Sequence, residues 1–479
     1  MKRQLVSLLA IAVAWGGGEP VSAETLREAM AAAYLSNPTL EAERAALRAT
    51  DEQVEQARAG FLPNVNAQAS VSRAERVDNT VNPGDTVNLG GGFTGVVDDD
   101  NNITLPDGSV VSANSVVSTN EFYQAQLTQN IFNGFQDQNA TNAAKSQVYA
   151  GRAQLRQVEQ TTLSDTVTAY MDVVRDEAVV RLNENNVRVL ERQLQASRDR
   201  FAVGEVTRTD VAQSEARLEG ARAQLLNAEA QLAASRAAYE RVVGRPAGTL
   251  ETPDEMPSLP ASLESAIETA VSNAPRIAQA RESEESARYD VKQAEGALLP
   301  SLDVNASWQR QKGTSTFVSG LDVTNRQVGL QLSIPLYQGG ARYADIRRLK
   351  EVRSQRMLQI REAERLVRER VLAAWDNYRA AKGRINATEA QVRAGEVALD
   401  GVRQEAAVGS RTTLDVLDQE QELLNARVEL VTAQRDEMVA AYNLMAAVGK
   451  LTASDLGLNV QGYDPNEHYE DSSWSLIGW

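Results

Sequence analysis

The chain of 479 residues contains no cysteine and only one histidine, His468. The lack of cysteine excludes disulfide bonds, thiol catalysis, cysteine-ligated metals and a lipid-bearing N-terminal cysteine. The histidine lies in an acidic tail without companion ligands, so we expect no metal site and no cofactor. No Ser-His-Asp triad, phosphate loop or paired-acid pattern rises above background, so we expect no catalytic residues.

Aromatic residues are also scarce, and the net charge is far from basic. Aromatics form 5% of the chain while hydrophobic residues form 42%, and the net charge is −16. A low aromatic content beside this hydrophobic content favours long helices with narrow apolar stripes over a broad aromatic-rich core. The acidic charge argues against nucleic acid as a partner.

Long apolar runs are missing after the N-terminus. No later stretch has 18 uninterrupted apolar residues, so no transmembrane helix is predicted. The N-terminus itself has the basic pair Lys2 and Arg3, an apolar segment at 5–15 and the small-residue site Val21-Ser22-Ala23, as in a secretory signal peptide. We therefore predict an exported protein that begins at Glu24, in which any membrane span is built from strands.

The mature chain consists of two copies of one plan. Residues 26–70 match 263–307 at a constant offset of 237, and residues 127–244 match their counterparts at an offset of 205. A register without gaps over this length indicates duplication, and the period is too long for a solenoid. The predicted organisation is a signal peptide at 1–23, a first structural repeat at 24–244, a linker at 245–262, a second repeat at 263–449 and a peripheral periplasmic tail at 450–479.

Proline placement locates the helices. No proline occurs between Pro106 and Pro246 or between Pro335 and Pro465, and each gap holds a predicted helical arm, at about 135–243 and 340–447. In the first arm a coiled-coil seam is predicted from apolar residues at about 3.5-residue spacing: Val187, Leu190, Leu194 and Phe201. A helix over 135–203 would be roughly 100 Å long, which a soluble globular domain does not need.

Four short runs alternate apolar and polar residues, at about 61–72, 120–133, 299–310 and 325–338. Each has about the 9–11 residues that a tilted strand needs to cross a bilayer. A half-buried sheet on a soluble domain would give the same alternation. If the strands do span a membrane, several chains must share one barrel, because the smallest closed barrel has about eight strands. The stretches between strands, at about 73–119 and 311–324, are predicted to be exposed loops.

One pattern, V-G-x-x-T-x-x-D-V, occurs twice, starting at Val203 and at Val408. Its glycine can close a helix in the left-handed conformation. Its threonine can cap the next helix, and its aspartate, Asp210 or Asp415, can complete a capping box. Each copy is predicted to be a tight turn between two antiparallel helices.

The duplicated turn, the F/L-L-P strand entries, the I-F-N-G or L-Y-Q-G strand exits and the signal peptide together resemble the TolC family of outer-membrane efflux proteins. The resemblance covers essentially the whole mature chain. It implies a mixed α/β membrane protein with a long antiparallel α-helical coiled-coil barrel. Each chain would add four strands to a trimeric twelve-stranded transmembrane β-barrel.

The resemblance also implies a function and partners. The protein would be a passive exit duct of a tripartite efflux or type I secretion system, not an enzyme. It would lie in the outer membrane with a periplasmic helical tunnel. Its partners would be two further copies of the chain, a periplasmic adaptor, an inner-membrane pump of the RND or ABC type and outer-membrane lipid.

By the same resemblance, the two turns form the entrance. Asp415 and Asp418 would line the constriction. Arg411 would hold the entrance shut, with Thr209 and Asp210 as its partners on the neighbouring turn. The adaptor would dock on six turn residues: Val203, Gly204, Glu205, Val408, Gly409 and Ser410. A tyrosine that helps to lock the entrance in the family falls on Ala406 here, which departs from the family pattern.

Simpler interpretations stand beside these. Asp210 and Asp415 occupy capping-box positions, which suffices to explain both. Asp418 lies outside the box, and its counterpart in the first repeat is Gln213. Arg411 is equally consistent with a solvated turn residue. For the whole chain the alternatives are a duct dedicated to type I protein secretion and a soluble periplasmic coiled-coil scaffold without a pore.

Overall fold

The computed structural model describes residues 23–77, 80–90, 93–105, 108–113, 115–315 and 320–472. The predicted signal peptide, apart from Ala23, and residues 473–479 lie outside this range. The α-helices are α1 (Leu26–Ser36), α2 (Pro38–Arg58), α3 (Gln136–Ala202), α4 (Arg208–Val243), α5 (Leu263–Asn273), α6 (Pro275–Gly296), α7 (Ala341–Ala407), α8 (Thr413–Val448) and α9 (Glu467–Ser472). The strands are β1 (Asn64–Val77), β2 (Thr86–Gly90), β3 (Phe93–Val96), β4 (Asn102–Thr104), β5 (Val110–Ser112), β6 (Ser115–Phe132), β7 (Ser301–Ser315) and β8 (Leu321–Ser333).

The chain divides into two compact units, each assembled from three separate segments. The first holds the described residues of Met1–Leu47, Gly151–Ala280 and Ile360–Pro465, and the second those of Arg48–Ala150, Arg281–Gln359 and Asn466–Trp479. This combination of long antiparallel helices with a small antiparallel sheet confirms the predicted fold class at the level of one chain. Among the helices of the described ranges, none is both long enough and apolar enough to cross a membrane.

The main core of the first unit forms where α1, α3, α4 and α8 pack together. Met30, Leu163, Tyr170 and Tyr239 are fully buried there. Each helix contributes one apolar stripe, as expected for a chain that is poor in aromatic residues. The hydroxyl of Tyr170 donates to the backbone oxygen of Glu24 at 2.7 Å, so the buried phenol is paired and the first residue of the predicted mature chain is held against the core.

The second unit contains a four-stranded antiparallel sheet in the order β1-β6-β7-β8. Its register aligns Val65, Leu127, Ala306 and Val328 in one row across all four strands. Residues that pair across antiparallel strands share a face, so this row is apolar from edge to edge. Large side chains on β1 and β8 are well exposed: Val65, Val71, Val328, Leu330 and Leu332. An exposed apolar row that runs across all four strands is typical of a surface that an apolar partner covers.

The strands extend further into the predicted loops than the sequence suggested. Strand β1 continues to Val77 and β6 begins at Ser115, so both ends of the predicted loop at 73–119 are strand. Between these ends most described residues are exposed, as predicted, but the segment is not all loop, because β2–β3 and β4–β5 form two hairpins. The hairpin region has a small buried core: Val97, Ile103 and Ala113. Because the segment is rich in Gly and Asn, its sequence did not predict a buried core.

Two other expectations need correction. Strand β8 ends at Ser333 and not at about 338, because Pro335 has no N–H group to donate to a strand ladder. The tail after Lys450 is not peripheral at its start, since Leu451 is fully buried. The backbone N–H of Ala453 donates to a carboxylate oxygen of Glu159 at 2.7 Å, which ties the tail to α3.

Candidate functional site

The turns between α3 and α4 and between α7 and α8 have the same backbone structure. The N–H groups of Gly204 and Glu205 donate to carbonyls of the last turn of α3 at 3.0 and 2.9 Å. Those of Gly409 and Ser410 repeat the bonds on α7 at 3.1 and 2.9 Å, the closure of a Schellman motif. The glycines have φ angles of 83° and 79°, a left-handed conformation that other residues adopt only with strain.

Each turn is followed by a capping box. The backbone N–H of Thr207 donates to Asp210 at 2.8 Å, and that of Thr412 donates to Asp415 at 2.9 Å. The threonine hydroxyls accept from the aspartate N–H groups at 3.3 and 3.2 Å. The hydrogen bonds from the backbone and hydroxyl of Thr412 hold the pKa of Asp415 below its ordinary value of 3.8, so this carboxylate is ionised at neutral pH.

We expect Thr412→Ala to weaken the start of α8 by about 1 kcal/mol, the usual value of a threonine cap. Amide hydrogen exchange over residues 413–417 should become about fivefold faster at neutral pH. Because the pKa of Asp415 is lowered on folding, the box stabilises α8 fully above the ordinary pKa and is lost as the pH falls through the folded value. The difference between wild type and variant should therefore shrink in acid.

Thr413→Ala is the matched control for the cap, because it removes the same hydroxyl one residue later and leaves the box intact. Equal exchange rates in the two variants would contradict the assignment of Thr412 as the cap.

The tips of both turns are apolar and open. Val203 is 73% exposed and Val408 is 81% exposed. A Cβ atom built at Gly204 or Gly409 would meet no other heavy atom within 4 Å. Each tip therefore presents an exposed valine beside bare backbone, and Glu205 and Ser410 are exposed next to them.

Arg411 has its partner within its own turn. Its Nε donates to a carboxylate oxygen of Glu405 at 2.9 Å. On the other turn, Asp210 is engaged with Thr207 in the capping box. The network that would link Arg411 to Thr209 and Asp210 stays a prediction about the assembled protein.

Asp415 and Asp418 are three residues apart on α8 but have different partners. Asp415 binds Thr412 of its own cap. Asp418 accepts a hydrogen bond from the guanidinium of Arg217, which comes from α4. The Arg217 and Asp418 side chains are 42% and 56% exposed. This ion pair links the α3–α4 hairpin to the α7–α8 hairpin, and no pattern in the sequence predicted it.

Leu417 lies next to this ion pair and is 2% exposed. It packs into a cluster from α3 and α4: Val187, Leu190, Leu194, Leu218 and Ala221. The cluster contains three residues of the predicted seam, but Phe201, the fourth, is 47% exposed. The seam therefore receives a side chain from α8 as well as from α4. The one available signal was that Leu417 replaces the smaller Ala212 of the first repeat.

Comparisons with known proteins agree with one another. A family model described as outer membrane efflux protein matches residues 30–245 and 266–450. The chain is 34% identical over 467 residues to the outer membrane efflux protein BepC of Brucella suis biovar 1, covering 97% of this chain and 94% of BepC. It is 26% identical over 472 residues to the outer membrane protein TolC of Escherichia coli, covering 95% and 88%.

A solved structure is also similar, the CmeC outer membrane channel of Campylobacter jejuni. The TM-score is 0.72 at 16% identity, over 94% of this chain and 89% of that one. At this identity the likeness concerns the fold alone.

Proposed function

Because the chain belongs to the outer membrane efflux protein family, we propose that it forms the trimeric, passive exit duct of a three-part export system. The family consists of outer-membrane channels with a periplasmic helical tunnel, not of enzymes. Its efflux and secretion channels work with adaptor proteins and inner-membrane pumps. The specific proposal for this chain is a homotrimer whose tips meet a periplasmic adaptor and a pump of the RND or ABC type.

The sheet of the second unit is the main observation that supports a trimer. Strands β1 and β8 are its outer strands, and the apolar row at Val65 and Val328 reaches both of them. In lipid every backbone N–H and C=O must be paired, so an open edge is not tolerated. Four strands are too few to close a barrel. Three copies joined edge to edge supply twelve strands and leave no edge unpaired.

The same symmetry assigns a role to the second turn. A threefold axis through the tips would gather three copies of Asp415 and Asp418 around the entrance. Rings of ionised carboxylates attract cations and raise their local concentration. In this proposal Arg411, with Thr209 and Asp210 on the neighbouring turn, holds the entrance closed. The exposed valines and bare glycine backbone of both tips form the docking surface for the adaptor.

The test is conductance of the purified protein in planar lipid bilayers, combined with its mass in detergent. We expect trimers that form small, cation-selective channels. In the double variant Asp415→Asn with Asp418→Asn, block by a trivalent cation should weaken by roughly tenfold or more, since several charges leave one constriction. Asparagine still accepts a hydrogen bond at a capping position, so the turn is retained.

Asp400→Asn is the control for selectivity, because it neutralises an exposed carboxylate on the same hairpin away from the turn. If block by the trivalent cation is unchanged in the double variant, Asp415 and Asp418 have only structural roles. Wild-type protein that washes off outer membranes without detergent would contradict the duct itself.

A further inference from the structure

We infer that Arg217 and Asp418 form a releasable latch that ties the two helical hairpins together near their tips, and that Arg217 sets both the opening and the charge of the entrance. The inference rests on the proposed function, because only a gated duct has an entrance to open. It assigns Arg217 as a selectivity-determining residue.

The position of the pair distinguishes it from the other ion pairs near the turns. Those pairs stay within one hairpin: Arg198–Glu215 and Arg222–Glu191 between α3 and α4, and Arg403–Glu420 and Arg427–Glu396 between α7 and α8. They hold each hairpin together whether or not the hairpins separate. The Arg217–Asp418 pair joins α4 to α8, so it must break when the α7–α8 hairpin moves away from α3–α4.

A second connection between the hairpins lies higher on α8. Arg435 donates to Asp172 of α3 at 2.9 Å, about 25 Å along α8 from Asp418 at 1.5 Å per residue. Arg175 also binds Asp172, at 3.0 Å, and donates to Asp176, whose side chain is only 5% exposed. This upper connection is therefore a shared, partly buried network and not a single pair.

The two connections differ in strength for a physical reason. Both partners of the lower pair are more than 40% exposed, and exposed ion pairs are weak and screened by salt. In the upper network Arg435 and Asp172 are 19% and 26% exposed, and charge-assisted bonds in a less wetted site persist. Motion that separates the tips would break the lower pair and withdraw Leu417 from its cluster on α3 and α4, while α8 pivots about the upper network.

The duplication gives independent support. The bridges Arg222–Glu191 and Arg427–Glu396 are counterparts in the two repeats and have similar lengths, 3.0 and 2.8 Å. The latch has no such counterpart, since Glu422 stands at the position of Arg217 and Gln213 at that of Asp418. The bridges Arg222–Glu191 and Arg427–Glu396, which maintain a hairpin, thus occur in both copies, whereas Arg217 and Asp418 each occur in one copy and pair where α4 meets α8.

The latch also affects the net charge of the entrance. While the hairpins are joined, the guanidinium of Arg217 offsets the carboxylate of Asp418, whereas the carboxylate of Asp415 is bound by Thr412 of its own cap. When the hairpins separate, Asp418 loses its partner and the entrance becomes more negative. Opening and attraction of cations are therefore coupled through one side chain.

Planar-bilayer recordings of Arg217→Gln and Asp418→Asn separate the effect of the latch on opening from its effect on the charge of the entrance. Each variant removes the latch, so each should raise the open probability roughly two- to fivefold per chain, the range of an exposed pair. Block by a trivalent cation should strengthen in Arg217→Gln, where Asp418 is uncompensated, and weaken in Asp418→Asn. The charge swap Arg217→Asp with Asp418→Arg should restore the closed behaviour.

Two controls keep the result interpretable. Arg222→Gln removes bridges inside one hairpin and should leave opening and block unchanged. Arg217→Lys keeps the charge and should lie between wild type and Arg217→Gln, and mass in detergent verifies trimers of every variant. If wild type conducts but Arg217→Gln has the same open probability and the same block by the trivalent cation, the proposed latch is wrong while the proposed duct is still supported. If wild-type trimers form no channels, the proposed function fails instead.

Discussion

Replacing Gly409 with tryptophan should reduce export through the duct at least tenfold while trimers still assemble. The position is at the exposed tip, and a Cβ atom added there meets no heavy atom within 4 Å beyond the adjoining residues. The bulk therefore projects outward, onto the surface that we propose for the adaptor. The left-handed backbone adds strain of about 1–2 kcal/mol, which is confined to one turn and is too small to unfold the chain.

The measurement is efflux of a fluorescent dye from cells in which this protein replaces the resident duct, with trimer mass as the check on assembly. Export should fall at least tenfold, since a steric clash at a docking surface readily costs about 1.4 kcal/mol. Gly204→Trp, at the first tip, should reduce export to a similar extent. Gly409→Asn, which tolerates the left-handed conformation without the bulk, should retain export.

Gly220→Trp places the same side chain at an exposed position in the middle of α4, where space is also open. It should affect export far less than the two tip variants. Retained export in Gly204→Trp and Gly409→Trp would argue that the adaptor does not dock on these turns.

Leu417→Ala should loosen the α7–α8 hairpin more than any change to the neighbouring ion pair. Leu417 is 2% exposed among side chains from α3 and α4, and truncating a buried leucine costs about 2–5 kcal/mol. An exposed ion pair is worth at most about 1 kcal/mol. We expect faster hydrogen exchange over residues 411–424 and a higher open probability in bilayers than in Arg217→Gln.

Leu414→Ala serves as the matched variant, because Leu414 lies one turn earlier on α8 and is 38% exposed. Its exchange rates and conductance should stay close to wild type. Equal behaviour of the two leucine variants would mean that the apolar cluster does not hold the hairpins together.

Much of the fold followed from patterns local to the sequence. The capping boxes at Thr207 and Thr412 and the closures at Gly204 and Gly409 involve residues within six positions of each other. Such contacts depend on backbone conformation and residue type alone, which is why both turns could be predicted. The alternation in the strands likewise predicts a face whose side chains are apolar.

The hairpins between β1 and β6 could not be predicted from local sequence patterns. Their core is only Val97, Ile103 and Ala113, spread through a segment rich in Gly, Asn and Asp. Short strands of three to five residues provide too few alternations to stand out from a polar loop.

For the candidate site, the sequence by itself determined the two turns, their caps with Asp210 and Asp415, and the charged residues Arg411 and Asp418 that distinguish the second copy from the first. Only the tertiary structure decided the partners of those residues. It placed Arg217 on Asp418 and Leu417 between α3 and α4. The physical reason is that helical periodicity specifies which face of a helix is buried but not which helix covers it, and the partners here are about 200 residues apart.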